Sequence, residues 1–205
     1  MRQRNMDRTS DGRDIAGRDH LLENALRDYR GRWPDEAACV DGFLDLLAEG
    51  GDPFVRQRLA GHFTASAWLV DRPGARILLT HHRKLGMWLQ LGGHADGDRD
   101  LARTALREAQ EESGLPGLQV VPGIFDVDRH LIPEHGDVPA HWHYDVRYVV
   151  RAGEDEDFVV SDESHALAWR DIASLAEDGH VDASVRRMAR KWLSGPQVRA
   201  SPQVQ

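Results

Sequence analysis

The chain has 205 residues, of which 40% are hydrophobic and 29% are charged, a composition typical of a folded globular protein and not of a disordered one. Its net charge of −8 at pH 7 argues against a general binder of nucleic acid or of anionic membranes. The single cysteine, Cys39, excludes an internal disulfide bond and favours a reducing compartment. The arginine-containing start has no apolar segment behind it, and no apolar run approaches membrane-spanning length, so we expect a cytoplasmic protein.

The first 58 residues predict a helical extension before the main domain. Residues 1–19 are polar and contain glycines, so we expect a mobile tail. Residues 20–33 carry apolar side chains at helical spacing, and a second helix is predicted to begin at Pro34 and to end at a pair of glycines. The extension, residues 20–58, is too small to fold alone. It should therefore pack either on the main domain or on a second subunit, and the second alternative predicts a homodimer.

The main domain, residues 59–195, combines strand and helix patterns. It opens with two strands that a Pro-Gly turn joins as a hairpin, and a short third strand runs into a glycine pair. Residues 99–113 lack any helix breaker and predict one helix that Gly114 ends. Further strands and two closing helices precede a short tail at residues 196–205. This order predicts the α/β class, with a mixed sheet that has helices on both faces.

The most informative stretch is GGHADGDRDLARTALREAQEESGL, residues 92–115. On the predicted helix, Glu108, Glu111 and Glu112 fall within a sector about 100° wide, at the edge of the apolar stripe. Their mutual repulsion and the negative end of the helix dipole both disfavour this arrangement. A bound divalent cation would offset both effects, and ligands that are all oxygen atoms point to Mg²⁺ or Mn²⁺. The alternative is a solvated cluster of surface charge, which is the commoner role of glutamates on a helix.

The spacing of these residues resembles the Nudix box, in which a glycine precedes a helix of the form Arg-Glu-aliphatic-any-Glu-Glu-any-Gly-aliphatic. Ala109 is a small version of the first aliphatic position. The order of strands and helices from about residue 61 to residue 180 is also similar to that of the family. The resemblance implies a Nudix-type α/β/α sandwich, with the N-terminal helices outside it. The matching positions are Gly93, Arg107, Glu108, Glu111, Glu112, Gly114 and Leu115.

The resemblance also implies a reaction. Nudix hydrolases use divalent cations to cleave a nucleoside diphosphate that is linked to another group, with water attacking phosphorus. Carried onto this chain, Glu111 and Glu112 would bind Mg²⁺ or Mn²⁺ with help from the carbonyl of Gly92 or Gly93. Glu108 would bind a further metal ion or act on the attacking water. The implied catalytic residues are Arg107, Glu108 and Glu111, and the implied metal-binding set is Glu108, Glu111, Glu112 and Gly93.

One position departs from the family pattern. The box has a first glutamate, which in that family pairs with the box arginine and braces the preceding loop, whereas this chain has Arg99 at that place. Two arginines repel, so Arg99 cannot take this role toward Arg107. We expect Arg107 to pair instead with Glu111, one turn along the helix. The acidic residues that could replace the missing brace are Asp96, Asp98 and Asp100.

Substrate contacts are predicted outside the box. In HWHYD, residues 141–145, His141 and His143 share one strand face and could reach a substrate phosphate or a metal ion; the alternative is an exposed strand face. Trp88 could stack on a nucleobase or pack in the core. Lys84 could contact phosphates or lie in a polar loop. A catalytic base could also come from a downstream loop, where the candidates are Glu134, Asp162 and Glu163.

The sequence therefore predicts a Mg²⁺-dependent pyrophosphohydrolase that binds a small nucleoside diphosphate derivative and neither nucleic acid nor membrane. Two alternatives stay open. A catalytically silent Nudix domain could sense a nucleotide, which Arg99 favours and the intact glutamates disfavour. An isopentenyl diphosphate isomerase would need a catalytic cysteine, whereas Cys39 lies in the helical extension, away from the box. Signatures of several Nudix subfamilies are absent from their usual positions, so the particular substrate is left open.

Overall fold

The computed structural model describes residues 9–83, 86–159 and 164–195, with side chains from residue 19 onward except at 164 and 165. No helix in these ranges is both long and apolar enough to cross a membrane. A short 3-10 helix, Pro34–Glu36, separates the first two α-helices. The elements are α1 (Thr9–Arg32), α2 (Ala37–Ala48), β1 (His62–Val70), β2 (Arg76–His82), β3 (Trp88–Leu89), β4 (Leu91–His94), α3 (Leu101–Ser113), β5 (Gln119–Val120), β6 (Asp126–Ile132), β7 (His141–Arg151), β8 (Ser164–Asp171), α4 (Ile172–Glu177) and α5 (Ala183–Ser194).

The strands form one mixed sheet with β1 at its centre. β1 pairs in parallel with β7 along its whole length, from His62 opposite His143 to Val70 opposite Arg151. On its other side, β1 pairs antiparallel with β4 and, near its end, with β2. β5 and β6 both pair with β7, and β3 and β8 both pair with β2. The predicted mixed sheet and the predicted hairpin of β1 and β2 are confirmed.

Helices cover both faces of the sheet, because the central strand is apolar on both sides. Phe63 and Ala65 of β1 pack with Ala105 of α3 on one face. Trp68 and Val70 of the same strand pack with α4 and α5 on the other face. The alternation of side chains along a strand places these two pairs on opposite sides. The fold is therefore the α/β/α sandwich that the resemblance implied.

Helix α3 is bounded by two capping groups. The side chain of Asp100 accepts a hydrogen bond from the N–H of Arg103 at 3.0 Å, which makes Asp100 the N-cap. Gly114 has a φ angle of 68°, in the left-handed region that glycine adopts without strain, and its N–H donates to the carbonyl of Gln110. The predicted end of the helix is confirmed. Its start lies at Leu101 and not at residue 99, because Asp100 serves as the cap.

The N-terminal extension packs on the main domain, which is the first of the two alternatives drawn from the sequence. Leu26 and Tyr29 of α1 and Phe43 of α2 are fully buried, and they share a core cluster with Phe63 and Tyr144. The rings of Phe43 and Tyr144 meet edge to face, with centroids 5.3 Å apart. Contacts of this kind stabilise both helices, and α2, with 12 residues, would be marginal in isolation.

The structure includes residues 9–19 of the predicted mobile tail in α1, which begins at Thr9, and the mobility of this segment stays a prediction. The carboxylate of Asp19 accepts hydrogen bonds from Arg99, which joins α1 to the main domain. The rest of the predicted tails, residues 1–8 and 196–205, lies outside the described residues.

A buried lysine joins the extension to the last helix. Lys191 of α5 donates to the hydroxyl oxygen of Tyr29 at 2.5 Å and to Asp126 at 2.6 Å. Its ammonium group also lies 2.7 Å from Glu36. Asp126 in turn lies 3.2 Å from the buried guanidinium of Arg147. Charges are tolerated at this depth when they are paired so closely, and the network therefore fixes α1 to α5 and to the sheet.

Candidate active site

Strand β4 and helix α3 form the centre of the candidate active site. β4 pairs with β1 so that Gly92 lies opposite Ser66 and Gly93 lies opposite Ala65. Gly92 donates its N–H to Oε1 of Glu112 at 2.8 Å. The end of α3 that carries the glutamates therefore lies beside the glycine pair, as the resemblance implied.

Because Gly92 and Gly93 have no side chain, other groups of the protein lie very close to both of them. A Cβ atom at Gly93 would lie 2.5 Å from Oε2 of Glu108, far inside contact distance. A Cβ atom at Gly92 would lie 2.5 Å from Oγ of Ser66 and 2.7 Å from the carbonyl oxygen of Ala65. Gly92 thus lets β4 pair closely with β1, whereas Gly93 leaves room for a carboxylate group.

Arg107 forms ion pairs with two of the three glutamates. Its guanidinium lies 2.8 Å from Glu108 and 3.4 Å from Glu111, so the predicted pairing with Glu111 is confirmed. Arg107 also donates to the backbone carbonyl of His94 at 3.3 Å. This bond connects α3 to the end of β4. Arg107 therefore braces the segment after the glycine pair without the glutamate that the family motif has at residue 99.

The carboxylates suit a divalent cation. Glu108 is shielded, with 15% of its side chain exposed, whereas Glu111 is 61% exposed. Glu112 is oriented by the N–H of Gly92. Carboxylate oxygens and backbone carbonyls are the ligands that Mg²⁺ and Mn²⁺ prefer, and several carboxylates close together are stabilised by such an ion. The residues present at this site therefore fit the metal that the family implies.

Arg99 joins the loop before α3 to the N-terminal extension. Its guanidinium donates to both carboxylate oxygens of Asp19, at 2.5 and 2.7 Å, and lies 3.2 Å from Asp52. The same group stacks 4.7 Å from the centre of the Phe54 ring. Only 13% of the Arg99 side chain is exposed. The residue that departs from the motif is therefore anchored by groups that lie outside the box.

The acidic residues expected to replace the missing brace have other partners. Asp96 pairs with Arg56. Asp98 pairs with Arg103 at 2.6 Å, and Asp100 caps α3. The expectation is wrong because each of these carboxylates binds a nearby arginine or N–H group, while the bracing contact of Arg107 is made with a backbone carbonyl.

Trp88 lies on the face of the sheet opposite α3. It is half-buried on β3 and packs against the cluster that α4 and α5 form. Its ring is 5.2 Å from the ring of His81, and the guanidinium of Arg170 lies 5.8 Å from its centre. The structure therefore gives Trp88 neighbours from the protein and does not bring it to the glutamates. Lys84, Asp162 and Glu163 lie outside the described residues, and Glu134 is exposed in the loop after β6.

His141 and His143 share a face of β7, as predicted, but that face is not exposed. His141 is 8% exposed and His143 is half-buried. His143 lies opposite His130 of β6 and opposite His62 of β1, and its ring centre is 5.1 Å from that of His94 at the end of β4. The expectation of an exposed strand face is wrong because the strand register gathers histidines from four strands.

Burial controls the charge of these histidines. It lowers the pKa of His94 to about 4, with Arg56 adding to the effect, and the pKa of His143 to about 2, with the neighbouring histidines adding to it. Burial also lowers the pKa of His62. All three rings are therefore neutral at pH 7. His62 and His94 were not predicted as site residues, because each stands alone in the sequence and only the pairing of the strands brings them to His143.

Comparison with known proteins identifies the family. The family profile described as NUDIX domain matches residues 61–191. A Mycobacterium tuberculosis protein with the provisional name 8-oxo-dGTP diphosphatase 3 is 28% identical over 166 aligned positions, which cover 74% of this chain and 75% of that protein. A NUDIX-family hydrolase structure from Clostridium perfringens is 26% identical, with a TM-score of 0.51 over 64% of this chain and 95% of that one. The MutT protein structure from Methanosarcina mazei, 20% identical, shares the fold, with a TM-score of 0.50 over 66% and 94% of the two chains.

The fold and the site define a hydrolase that acts on phosphoric anhydrides. The chain belongs to the Nudix family, whose hydrolases generally use divalent metal ions and act on small nucleotides. The helices α1 and α2 lie before the matched residues. Helix α1 contacts the loop before α3 through the ion pair of Asp19 with Arg99.

Proposed function

We propose that this protein is a Mg²⁺-dependent pyrophosphohydrolase that cleaves the diphosphate linkage of a nucleoside diphosphate derivative. The observation that carries the proposal is the arrangement of Glu108, Glu111 and Glu112 on α3 beside the glycine pair of β4. Oxygen ligands on a rigid helix suit a cation that must also bind phosphate oxygens. The name of the Mycobacterium tuberculosis relative makes 8-oxo-dGTP one of the first compounds to test.

The roles of the residues follow from their positions. Glu111 and Glu112 would hold the cation together with the carbonyl of Gly93. A cation bound there neutralises the charge that develops on the phosphate oxygens. Glu108 is shielded and lies against Gly93, which suits either of two roles: orienting the attacking water or holding a further ion. Arg107 positions Glu108 and Glu111 through its ion pairs with both.

Hydrolysis of a panel of nucleoside diphosphate derivatives tests the proposal. The panel contains 8-oxo-dGTP, dGTP, ADP-ribose and diadenosine tetraphosphate, each assayed with Mg²⁺, with Mn²⁺ and with a chelator. We expect turnover of at least one compound with Mg²⁺ and none with the chelator. Turnover that persists in the chelator would contradict the role of the cation, and binding without turnover of any compound would support the nucleotide sensor.

We expect Gly93→Ala to lower hydrolysis without unfolding the protein. The added methyl group meets the flexible end of Glu108 and must displace that carboxylate by about 1 Å, which should lower kcat about 10- to 100-fold. Steady-state kinetics together with circular dichroism measures both effects. Gly31→Ala is the matched control, because nothing lies within 4 Å of a Cβ atom at that position. Unchanged kinetics for Gly93→Ala would argue against a precise role for Glu108.

The contacts of Cys39 and Arg99 favour neither the isomerase nor the catalytically silent nucleotide sensor. Cys39 is half-buried on α2, and burial raises the pKa of its thiol, which disfavours the thiolate that an isomerase would use. Arg99 has structural partners in Asp19 and Asp52, so its presence at a motif position does not require a loss of activity.

The homodimer and the cytoplasmic location stay predictions. The apolar sides of α1 and α2 are buried against the main domain, which leaves less surface for a subunit interface than the sequence suggested. Leu21 of α1 is nevertheless 70% exposed and available to a partner. Light scattering that shows a monomer at micromolar concentration would contradict the homodimer.

A further inference from the structure

Three histidines from three strands meet on the face of the sheet opposite α3. They are His62 at the start of β1, His94 at the end of β4 and His143 on β7, and their ligand nitrogens all lie within 4.8 Å of one another. We call them the histidine triad. The triad is separate from the glutamates, because successive side chains of a strand point to opposite faces and the preceding residue, Gly93, faces Glu108.

His62 carries an unsatisfied ring nitrogen within the triad. The residue is 1% exposed, and its Nδ1 lies 3.3 Å from the backbone carbonyl of Arg58. A carbonyl can only accept, so this contact assigns the proton to Nδ1 and leaves Nε2 as a lone pair. Nε2 is buried without a hydrogen-bond partner among the described residues. Buried polar atoms nearly always have a hydrogen-bond partner. Metal-binding histidines typically donate from one ring nitrogen to a carbonyl and use the lone pair of the other nitrogen to bind the metal ion.

A fourth histidine orients the ring of His143. Nδ1 of His141 lies 2.9 Å from the carbonyl of Pro139, to which it donates. Nε2 of His141 is then an acceptor, and it lies 3.2 Å from Nε2 of His143. Nε2–H of His143 therefore donates to His141, which holds the ring of His143 in place and leaves its Nδ1 as the lone pair that could bind a metal ion, as groups around a metal site commonly do for the ligands.

We propose that His62, His94 and His143 bind one divalent transition-metal ion, for which Zn²⁺ is the best match, at a site distinct from the carboxylate site. Neutral imidazoles suit Zn²⁺, whereas Mg²⁺ prefers oxygen ligands. Nitrogens around a tetrahedral Zn²⁺ lie about 3.4 Å apart, so binding draws the three rings together by at most about 1.5 Å. The ion would join β1, β4 and β7 one residue beyond Gly93.

Cobalt binding tests the proposal independently of hydrolysis. The full chain, freed of any purification tag and of bound metal, is titrated with Co²⁺, whose visible absorption reports nitrogen ligands and a low coordination number. We expect the visible absorption of nitrogen-bound Co²⁺ to saturate at one equivalent, Zn²⁺ to abolish it, and His143→Gln to weaken the binding that it reports at least about 100-fold. Copper(II) bound to the same protein should show nitrogen hyperfine splitting in its electron paramagnetic resonance spectrum.

Two control variants locate the ion. His180→Gln, which alters an exposed histidine between α4 and α5, should bind Co²⁺ as the wild type does. Glu112→Gln should also bind it, because that carboxylate belongs to the other site. If His143→Gln fails to fold by circular dichroism, His94→Gln replaces it. Loss of Co²⁺ binding in Glu112→Gln with retention in the folded histidine variant would overturn the proposal, as would the absence of any bound-Co²⁺ absorption in the wild type.

Discussion

Replacing Glu112 with glutamine should remove most of the hydrolytic activity while leaving the fold intact, with kcat lower by at least about 100-fold. The amide oxygen of glutamine can still accept the N–H of Gly92, so the contact between α3 and β4 is kept. The negative charge that would hold the cation is lost. Steady-state hydrolysis of the best substrate at saturating Mg²⁺, together with thermal unfolding, separates the two effects.

Glu177→Gln is the matched control for this experiment. Glu177 is an exposed glutamate at the end of α4, and its change to glutamine should leave kcat within about twofold, as surface substitutions usually do. An active Glu112→Gln variant would exclude Glu112 as a required metal ligand. A variant that is inactive because it has unfolded would be recognised by its lowered Tm.

Replacing Arg99 with glutamate should destabilise the protein by about 2–4 kcal/mol, although this change restores the family motif. The substitution removes the hydrogen bonds to Asp19 and places a third carboxylate beside Asp19 and Asp52. For a chain of this length we expect Tm to fall by about 5–15 °C. Differential scanning calorimetry measures the change.

Two further variants show whether the extension is the cause. Arg103→Glu breaks the ion pair with Asp98, but Arg103 is 62% exposed, so the expected cost is at most about 1 kcal/mol. Asp19→Lys combined with Arg99→Glu reverses the pair and should recover part of the lost stability. A single Arg99→Glu variant as stable as the wild type would show that Arg99 does not anchor α1.

Elements with their own periodic pattern could be predicted from the sequence. The hairpin of β1 and β2 was predicted from its Pro-Gly turn, and α3, which lacks breakers and ends at a glycine, was predicted to within two residues of its observed bounds. The start of α1 could not be predicted in this way. Its first residues are polar and carry no apolar stripe, and Asp19, farther along the helix, is bound by a residue 80 positions away.

In the candidate site, too, residues of one helix could be predicted to lie together, whereas residues of different strands could not. Arg107 and the glutamates lie on one helix, so their spacing alone was enough to predict that they share a site. Trp88 was assigned to substrate without knowledge of its face, and the structure places it away from α3. The histidine triad could not be predicted, because His62, His94 and His143 are brought together only by the pairing of β1 with β4 and β7.

A titration with Mn²⁺ tests directly whether the glutamates of α3 bind the cation. It is carried out in the presence of a non-hydrolysable nucleotide analogue, and electron paramagnetic resonance measures the free ion. We expect the wild type to bind Mn²⁺ and Glu112→Gln to bind it at least about 10-fold more weakly. His143→Gln should retain the carboxylate-bound Mn²⁺. Equal Mn²⁺ affinity in the wild type and in a folded Glu112→Gln variant would contradict the claim that the glutamates of α3 form the metal site.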